Sequence, residues 1–211
     1  MRMTTNFSRA VDLRELPLCS SYLSVHMEAL LMHVRQPGST QELSVHWALG
    51  ALADGQLDIL GVWLELGEGD MLWRAVFADL KVRGVETMRF LTGIDPAVIG
   101  ASLFESYPRT VALTSIGRSI RRFEADLIVT PRLHRIVHRA EDAAHQLGQR
   151  LRQALDGHTC FNDGEAAVSF VAETLMRAER DLGSLAGASS KPVGRRGSNG
   201  LVTPSTSVAG H

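Results

Sequence analysis

The first third of the chain alternates apolar runs with short turn sequences, which is typical of strands. The run at 22–35 is apolar enough for a buried strand, although Glu28 and Met32 also suit a helix, so periodicity alone leaves both open. Pro and Gly at 37–38 and the Asp-Gly pair at 54–55 predict turns on either side of the next run. We therefore predict three successive antiparallel strands, at 22–35, 43–52 and 57–64.

After the third predicted strand, the apolar residues follow the spacing of a helix. Apolar positions at 71–82 keep one helical face, with acidic residues before it and Gly84 placed to end the helix. A second strand-helix-strand passage comes next, with Asp95 and Pro96 ending its first strand. Its predicted elements are a strand at 85–94, a helix at 97–106 and a β-branched strand at 110–116. This order predicts an α/β fold with a mixed sheet: three antiparallel strands, then helix-strand-helix-strand.

The remaining pattern is helical and then polar. Helices are predicted at 118–128, 131–155 and 165–182. The Gly/Ser/Thr-rich stretch after them has too few large apolar residues to offset its ordering entropy, so we expect disorder there. The predicted organisation is an irregular lead-in at 1–20, an α/β core at 21–117, a helical segment at 118–182 and a disordered tail at 183–211.

Composition narrows the class of protein. The chain has 211 residues, of which 45% are hydrophobic and 21% charged, as in a globular protein. A net charge of −1 identifies no partner, and 2 cysteines indicate neither a disulfide framework nor a zinc site, which favours a reducing cytoplasm. Because no apolar run approaches about 18 residues, we expect no membrane-spanning helix, and no signal peptide is evident.

Several motifs resemble one known family. LGVWL at 60–64 and GEGDMLWRAVFADLKVRGV at 67–85 are followed by an apolar strand and Asp95, with Pro108 beyond. Upstream, VHWALGALADGQ at 45–56 and MEALLMHVR at 27–35 continue the similarity. Together these segments resemble the RNase H-like catalytic domain of mutator-type insertion-sequence transposases over roughly 14–155.

The resemblance implies a metal site and a DNA substrate. Such domains bring three carboxylates together around two metal ions for phosphodiester transfer, and carboxylate ligands suit Mg²⁺ or Mn²⁺. Asp95 matches the second catalytic Asp of the family, and Glu28 aligns with the first. Glu165 is the local candidate for the third carboxylate, although coincidence is the favoured explanation there.

The chain also departs from the family pattern. Glu28 is one methylene longer than the Asp of the family, and of the Cys-x-x-His-x-x-Arg pattern only Arg121 remains. Asp95 is also suited to cap a helix before Pro96, and Glu28 to face solvent on a strand. A full-length relative is expected to carry an N-terminal DNA-binding region before the position of Glu28, and we expect none here.

Arginines after the predicted core supply candidate DNA contacts. Arg118, Arg121 and Arg122 begin a basic run that continues to Arg152, and this run either binds phosphates or forms a solvated helix face balanced by nearby carboxylates. Three histidines share a face of the predicted helix at 131–155, where a solvated surface is favoured over a zinc site.

The sequence thus predicts a transposase-related protein of DNA transposition whose catalysis is impaired or lost. The alternative is a non-catalytic remnant that binds DNA or an intact transposase, or a product with no selected role. Expected partners are the DNA ends of an insertion element, and a full-length transposase or a second copy of the chain. The expected location is the bacterial cytoplasm, at the nucleoid.

Overall fold

The computed structural model describes residues 13, 15–65, 69–114 and 130–188. Five strands and four helices are found in these ranges. In chain order they are β1 (Ser21–Gln36), β2 (Ser39–Ala51), β3 (Leu57–Leu64), α1 (Gly69–Val82), β4 (Thr87–Thr92), α2 (Pro96–Ser106), β5 (Val111–Leu113), α3 (Pro131–Leu155) and α4 (Gly164–Ala188).

The five strands form one mixed sheet in the order β3-β2-β1-β4-β5. β1 pairs antiparallel with β2, and β2 pairs antiparallel with β3. β4 pairs parallel with β1 on its other side, and β5 pairs parallel with β4. The predicted α/β class and mixed sheet are therefore confirmed, and the ambiguous run at 22–35 is a strand.

Helices cover both faces of the sheet. Neighbouring residues of a strand point to opposite faces, so β1 contributes to two cores. Val25 and Met27 pack with α1 and α2, whereas Leu30 and Met32 pack with α3 and α4. The result is three layers, with the sheet in the middle.

A buried arginine joins the start of the described chain to the sheet and to α1. Arg83 is 7% exposed. Its Nη1 donates to the carbonyl of Leu60 at 2.6 Å and to Asp79 Oδ2 at 3.2 Å, and its Nε donates to the carbonyl of Leu16 at 3.0 Å. Trp63 Nε1 donates to the same Asp79 oxygen at 3.1 Å. This network ties β3, α1 and the lead-in together.

Glycines complete the same network. A Cβ on Gly61 would lie 2.6 Å from the Trp63 ring, so only glycine lets that indole lie against β3. Gly84 has a φ of +108° directly after α1, as predicted for the residue that ends this helix. The motifs at 60–64 and 67–85 therefore supply most of the hydrogen bonds and both glycines of this network.

Element boundaries differ from the predictions in a few places. β2 begins at Ser39, earlier than the predicted 43, because it continues the hairpin register directly from Gln36. α4 continues to Ala188, past the predicted end at 182. The predicted helix at 118–128 lies outside the described residues, as do most of the predicted lead-in and the tail from 189 onward. No helix in the described ranges is long and apolar enough to cross a membrane.

We expect Arg83→Lys to lower the free energy of unfolding by about 2–3 kcal/mol, because an ammonium cannot reproduce the fork of hydrogen bonds to buried acceptors. Urea denaturation measures the loss. The matched control is Arg135→Lys on the exposed side of α3, which should change stability by less than about 0.5 kcal/mol. Equal effects of the two substitutions would contradict the structural role of Arg83.

Glu65 adds a pH-dependent contact at the end of β3. His46 Nε2 lies 3.2 Å from Glu65 Oε2, and the His46 ring meets the Trp73 ring edge-on at 5.0 Å. Burial would raise the pKa of Glu65, but hydrogen bonds from His46 and Ser44 outweigh it and lower this pKa below its usual value. A carboxyl group whose pKa is lowered on folding stabilises the protein above its unfolded-state pKa.

Glu65→Gln should therefore destabilise the protein near neutral pH, with a difference from wild type that shrinks as the pH falls through the lowered pKa of Glu65. Urea midpoints measured from about pH 7 to about pH 3 test this. Glu42→Gln, at an exposed position of β2, is the control. A wild-type advantage that grows on acidification would show that the sign is wrong.

Candidate functional site

The candidate site lies where β4 ends beside β1. The parallel pairing of the two strands finishes with His26 opposite Thr92. Gly93 then turns the chain with a φ of +90°, and a Cβ there would lie 2.9 Å from Cε1 of the His26 ring. Asp95 follows three residues after Thr92, and Glu28 lies two residues after His26. Both carboxylates therefore belong to this end of the β1–β4 pair.

Asp95 caps α2. Its backbone is extended, with φ −62° and ψ 120°, and its Oδ1 accepts a hydrogen bond from the Ala97 amide at 2.9 Å. The side chain is exposed. Pro96 occupies the first helical position, where its missing N–H costs nothing. An N-cap uses one oxygen of a carboxylate that has about four lone-pair sites, so capping leaves acceptor capacity at Asp95.

Glu28 points to the other side of the sheet, against α3. Its side chain is 22% exposed, and its Oε1 accepts a hydrogen bond from Arg152 Nη1, whose side chain is 49% exposed. Gly148 lies one helical turn before Arg152. A Cβ on this glycine would lie 2.6 Å from Glu28 Oε2 and 3.1 Å from Oε1. The carboxylate thus lies against the helix backbone at Gly148, where a side chain would displace it.

His26 lies beside Glu28 on the same face. Its Nδ1 is 3.1 Å from the Thr92 hydroxyl, and its ring is 6.3 Å from that of Trp47. Burial lowers the pKa of His26 below its ordinary value; Glu28 and Glu141 oppose this shift, and His145 adds to it. The imidazole is therefore biased toward its neutral form, next to a carboxylate that already has an arginine partner.

Glu165 lies at the opposite edge of the sheet. It is the second residue of α4, where Gly164 packs on Leu64 of β3. A cleft of about 350 Å³ there is lined by Glu165 together with Trp63 and Asp79. In the strand order, β2 and β1 separate β3 from β4. The structure therefore brings Glu28 and Asp95 to one end of a strand pair and does not bring Glu165 to them.

Comparison with known proteins identifies the family. Residues 2–125 match the family model described as "Transposase, Mutator family". The chain belongs to the mutator family of transposases. The match spans all five strands and includes Glu28, Asp95 and the network of Arg83.

Curated transposases are similar over much of the chain. The chain is 33% identical over 141 residues to the transposase for insertion sequence element ISRM3 of Rhizobium meliloti (strain 1021), covering 62% of this chain and 33% of that protein. The probable transposase for insertion sequence element ISRM3-like of Sinorhizobium fredii (strain NBRC 101917 / NGR234) gives the same identity and coverage. A probable transposase for an insertion sequence element of Corynebacterium diphtheriae is 35% identical over 65 residues, 31% of this chain and 19% of that protein. The matched region spans about a third of the length of the first two relatives.

The mutator family suggests a divalent metal, and the described carboxylates do not form a complete set of ligands for one. Within residues 13, 15–65, 69–114 and 130–188, no three His, Cys, Asp or Glu side chains are grouped so as to hold a metal ion. Glu28 accepts from Arg152, Asp95 caps the helix on the other face, and Glu165 lies by β3. A carboxylate site for Mg²⁺ needs convergent oxygens in near-octahedral geometry, which these three positions do not provide.

The sequence contained a signal for the Glu28 partner that motif matching missed. Arg152 was one of many candidate phosphate contacts in the basic run, but the structure pairs it with Glu28. A glycine inside a long helix costs about 1 kcal/mol relative to alanine, so Gly148 four residues before an arginine marks a close approach. The other candidate contacts, Arg118, Arg121 and Arg122, lie outside the described residues.

Gly148→Ala should be about 1 kcal/mol less favourable in the wild type than in a Glu28→Ala background, because in the wild type the added Cβ displaces the end of the Glu28 side chain. In the Glu28→Ala background helix propensity favours alanine, and the Cβ then meets only the flexible end of Arg152. Urea denaturation of the four proteins gives both values.

Gly100→Ala on α2 is the control for helix propensity. A Cβ at Gly100 meets nothing within 4 Å, so this substitution should stabilise both backgrounds alike. A Gly148→Ala effect that is independent of Glu28 would contradict the packing of this carboxylate on α3.

Proposed function

We propose that this chain is the core of an insertion-sequence transposase catalytic domain with an RNase H-like fold, and that it has little or no strand-transfer activity on its own. The fold proposal is supported by the strand order, in which three antiparallel strands are followed by two parallel ones on the far side of β1. This is the arrangement that resemblance to the family implies.

The proposal of impaired catalysis is carried by one observation, the ion pair of Glu28 with Arg152. Metal-assisted phosphodiester transfer needs carboxylates that are free to bind cations and that converge on the reacting phosphate. A carboxylate seated on a helix backbone and paired with a guanidinium is already charge-balanced. The position of Glu165 beside β3 leaves the proposed third ligand on the wrong edge of the sheet.

Asp95 remains the best candidate for a retained family residue. It is exposed at the end of a parallel strand, and α2 begins directly after it. Its proposed role is that of the second metal-binding carboxylate of the family, with Mg²⁺ or Mn²⁺ as the ion. The loss of one member of a cooperative catalytic group removes most of its effect, so Asp95 alone sustains little catalysis.

The proposed partner is DNA carrying the ends of an insertion element, in the cytoplasm of a bacterium. The named relatives are transposases of such elements. The basic residues on α3, among them Arg132 and Arg135, are exposed and suited to phosphate contacts.

The test is a strand-cleavage and joining assay on DNA with insertion-element terminal repeats, in Mg²⁺ or Mn²⁺. We expect the wild-type chain to produce no more cut or joined product than its Asp95→Asn variant, because the metal-binding set is incomplete. A full-length mutator transposase supplies the positive control. Efficient cleavage by the wild-type chain that Asp95→Asn abolishes would overturn the proposed loss of activity.

A further inference from the structure

We propose that Arg152 takes the place of a divalent cation at Glu28, so that α3 keeps this carboxylate charge-balanced without metal. The inference rests on the proposed function, because the expectation of a metal at Glu28 comes from the family. It goes further by assigning an alternative counter-charge and a reason why the metal is not needed.

The position of Glu28 requires a counter-charge. It lies inside a strand of the central sheet, 22% exposed, with buried Met27 before it, exposed Ala29 after it and a half-buried histidine two residues away. An ionised carboxylate in such a place is costly unless it is paired. A divalent metal is one solution, and a guanidinium that donates hydrogen bonds in a fixed plane is another.

The residues of α3 around Glu28 are arranged to pair this carboxylate with a guanidinium. Gly148 opens the space for the carboxylate, and Arg152, one turn later on the same helix face, donates into it. The same Cβ position at Gly148 would lie 3.2 Å from Arg152 Nη2, so glycine accommodates both members of the pair. Because α3 is held to the sheet by Leu147 and Leu151, each less than 2% exposed, the backbone beneath the guanidinium is anchored.

The charge that Arg152 supplies is needed locally. Glu141 lies on the same face of α3, and both Glu28 and Glu141 act on His26. Without the guanidinium, Glu28 and Glu141 would both present carboxylates to this interface. That is a surface on which a cation becomes favourable, since carboxylate oxygens are the preferred ligands of Mg²⁺ and Mn²⁺.

The test is the melting temperature of the full chain with and without millimolar MnCl₂. Wild type should respond to Mn²⁺ no more than Glu28→Gln does, so that any ion at Asp95 is accounted for. Arg152→Gln should melt about 2–4 °C lower than wild type, and Mn²⁺ should recover most of that loss. Glu28→Gln/Arg152→Gln should not respond, because the carboxylate that binds the ion is gone. Arg135→Gln, on the exposed side of α3, is the matched control and should neither lose stability nor respond.

Each other outcome overturns the inference. If Mn²⁺ stabilises wild type and Glu28→Gln removes the effect, Glu28 holds a cation despite Arg152. If Arg152→Gln has the same melting temperature as wild type, the ion pair does not stabilise the protein. If Arg152→Gln is destabilised and Mn²⁺ does not restore it, Arg152 makes an ordinary ion pair and replaces no cation. Arg152→Lys, which keeps the charge, should stay closer to wild type than Arg152→Gln.

A second measurement holds even where Arg152→Gln fails to fold. The electron paramagnetic resonance signal of free Mn²⁺ should not decrease when wild-type protein is added, beyond the decrease seen with Glu28→Gln. A larger decrease with wild type overturns the inference. No DNA is present in this measurement, so it is independent of the strand-transfer assay. If Mn²⁺ binds at Glu28 but the chain does not cleave DNA, the inference about Arg152 is wrong while the proposed loss of activity stands.

Discussion

The buried guanidinium of Arg83 is the interaction on which the arrangement of the sheet depends. The Arg83 side chain joins three parts of the chain: the segment before β1, the middle of β3 and the end of α1. Removal of any one acceptor would leave a buried charge short of a partner, which is costly in a low-dielectric interior. Asp79 meets that charge and also accepts from Trp63, so the helix, the edge strand and the lead-in have one relative position.

The Arg83 network lies mostly within the motifs at 60–64 and 67–85, whereas Glu28 lies outside them. The residues that make the chain look like a mutator transposase, from Leu60 to Gly84, contribute mainly to the α1 side of the sheet. Glu28 lies on the side of α3, where the contacts are those of Gly148 and Arg152. The residues that carry the family pattern and the residues that surround Glu28 therefore lie largely on opposite faces of the sheet. Membership of the family, carried by the match over residues 2–125, therefore does not by itself describe the surroundings of Glu28.

Much of the fold could be predicted because local signals agreed with it. Turn residues at Gly38 and Gly55 and a helix-ending Gly84 all have positive φ, and Thr130 caps α3 before Pro131. The neighbourhood of Glu28 could not be predicted in the same way. Its partner is 124 residues away in sequence and reaches it only through the packing of α3 on the sheet. Periodicity reports which face of a helix is buried, but it does not report which polar residue meets which.

The two-faced placement of the carboxylates has the same origin. Asp95 could be located at a strand end from Pro96 alone, but whether its oxygens turn toward Glu28 depends on where α2 packs. Because α2 packs with α1 on one face and α3 covers the other, the two acids are committed to different helices. Glu28 is engaged by Arg152 of α3, whereas Asp95 is engaged by the first turn of α2.

The most direct test of this central claim is a crystal structure of the chain grown in MnCl₂, with anomalous data at an energy where manganese scatters strongly. We predict that Arg152 donates to Glu28 against Gly148 and that no anomalous peak lies within coordination distance of the Glu28 carboxylate. A peak bridging Glu28 and Asp95, with Arg152 turned away, would contradict it.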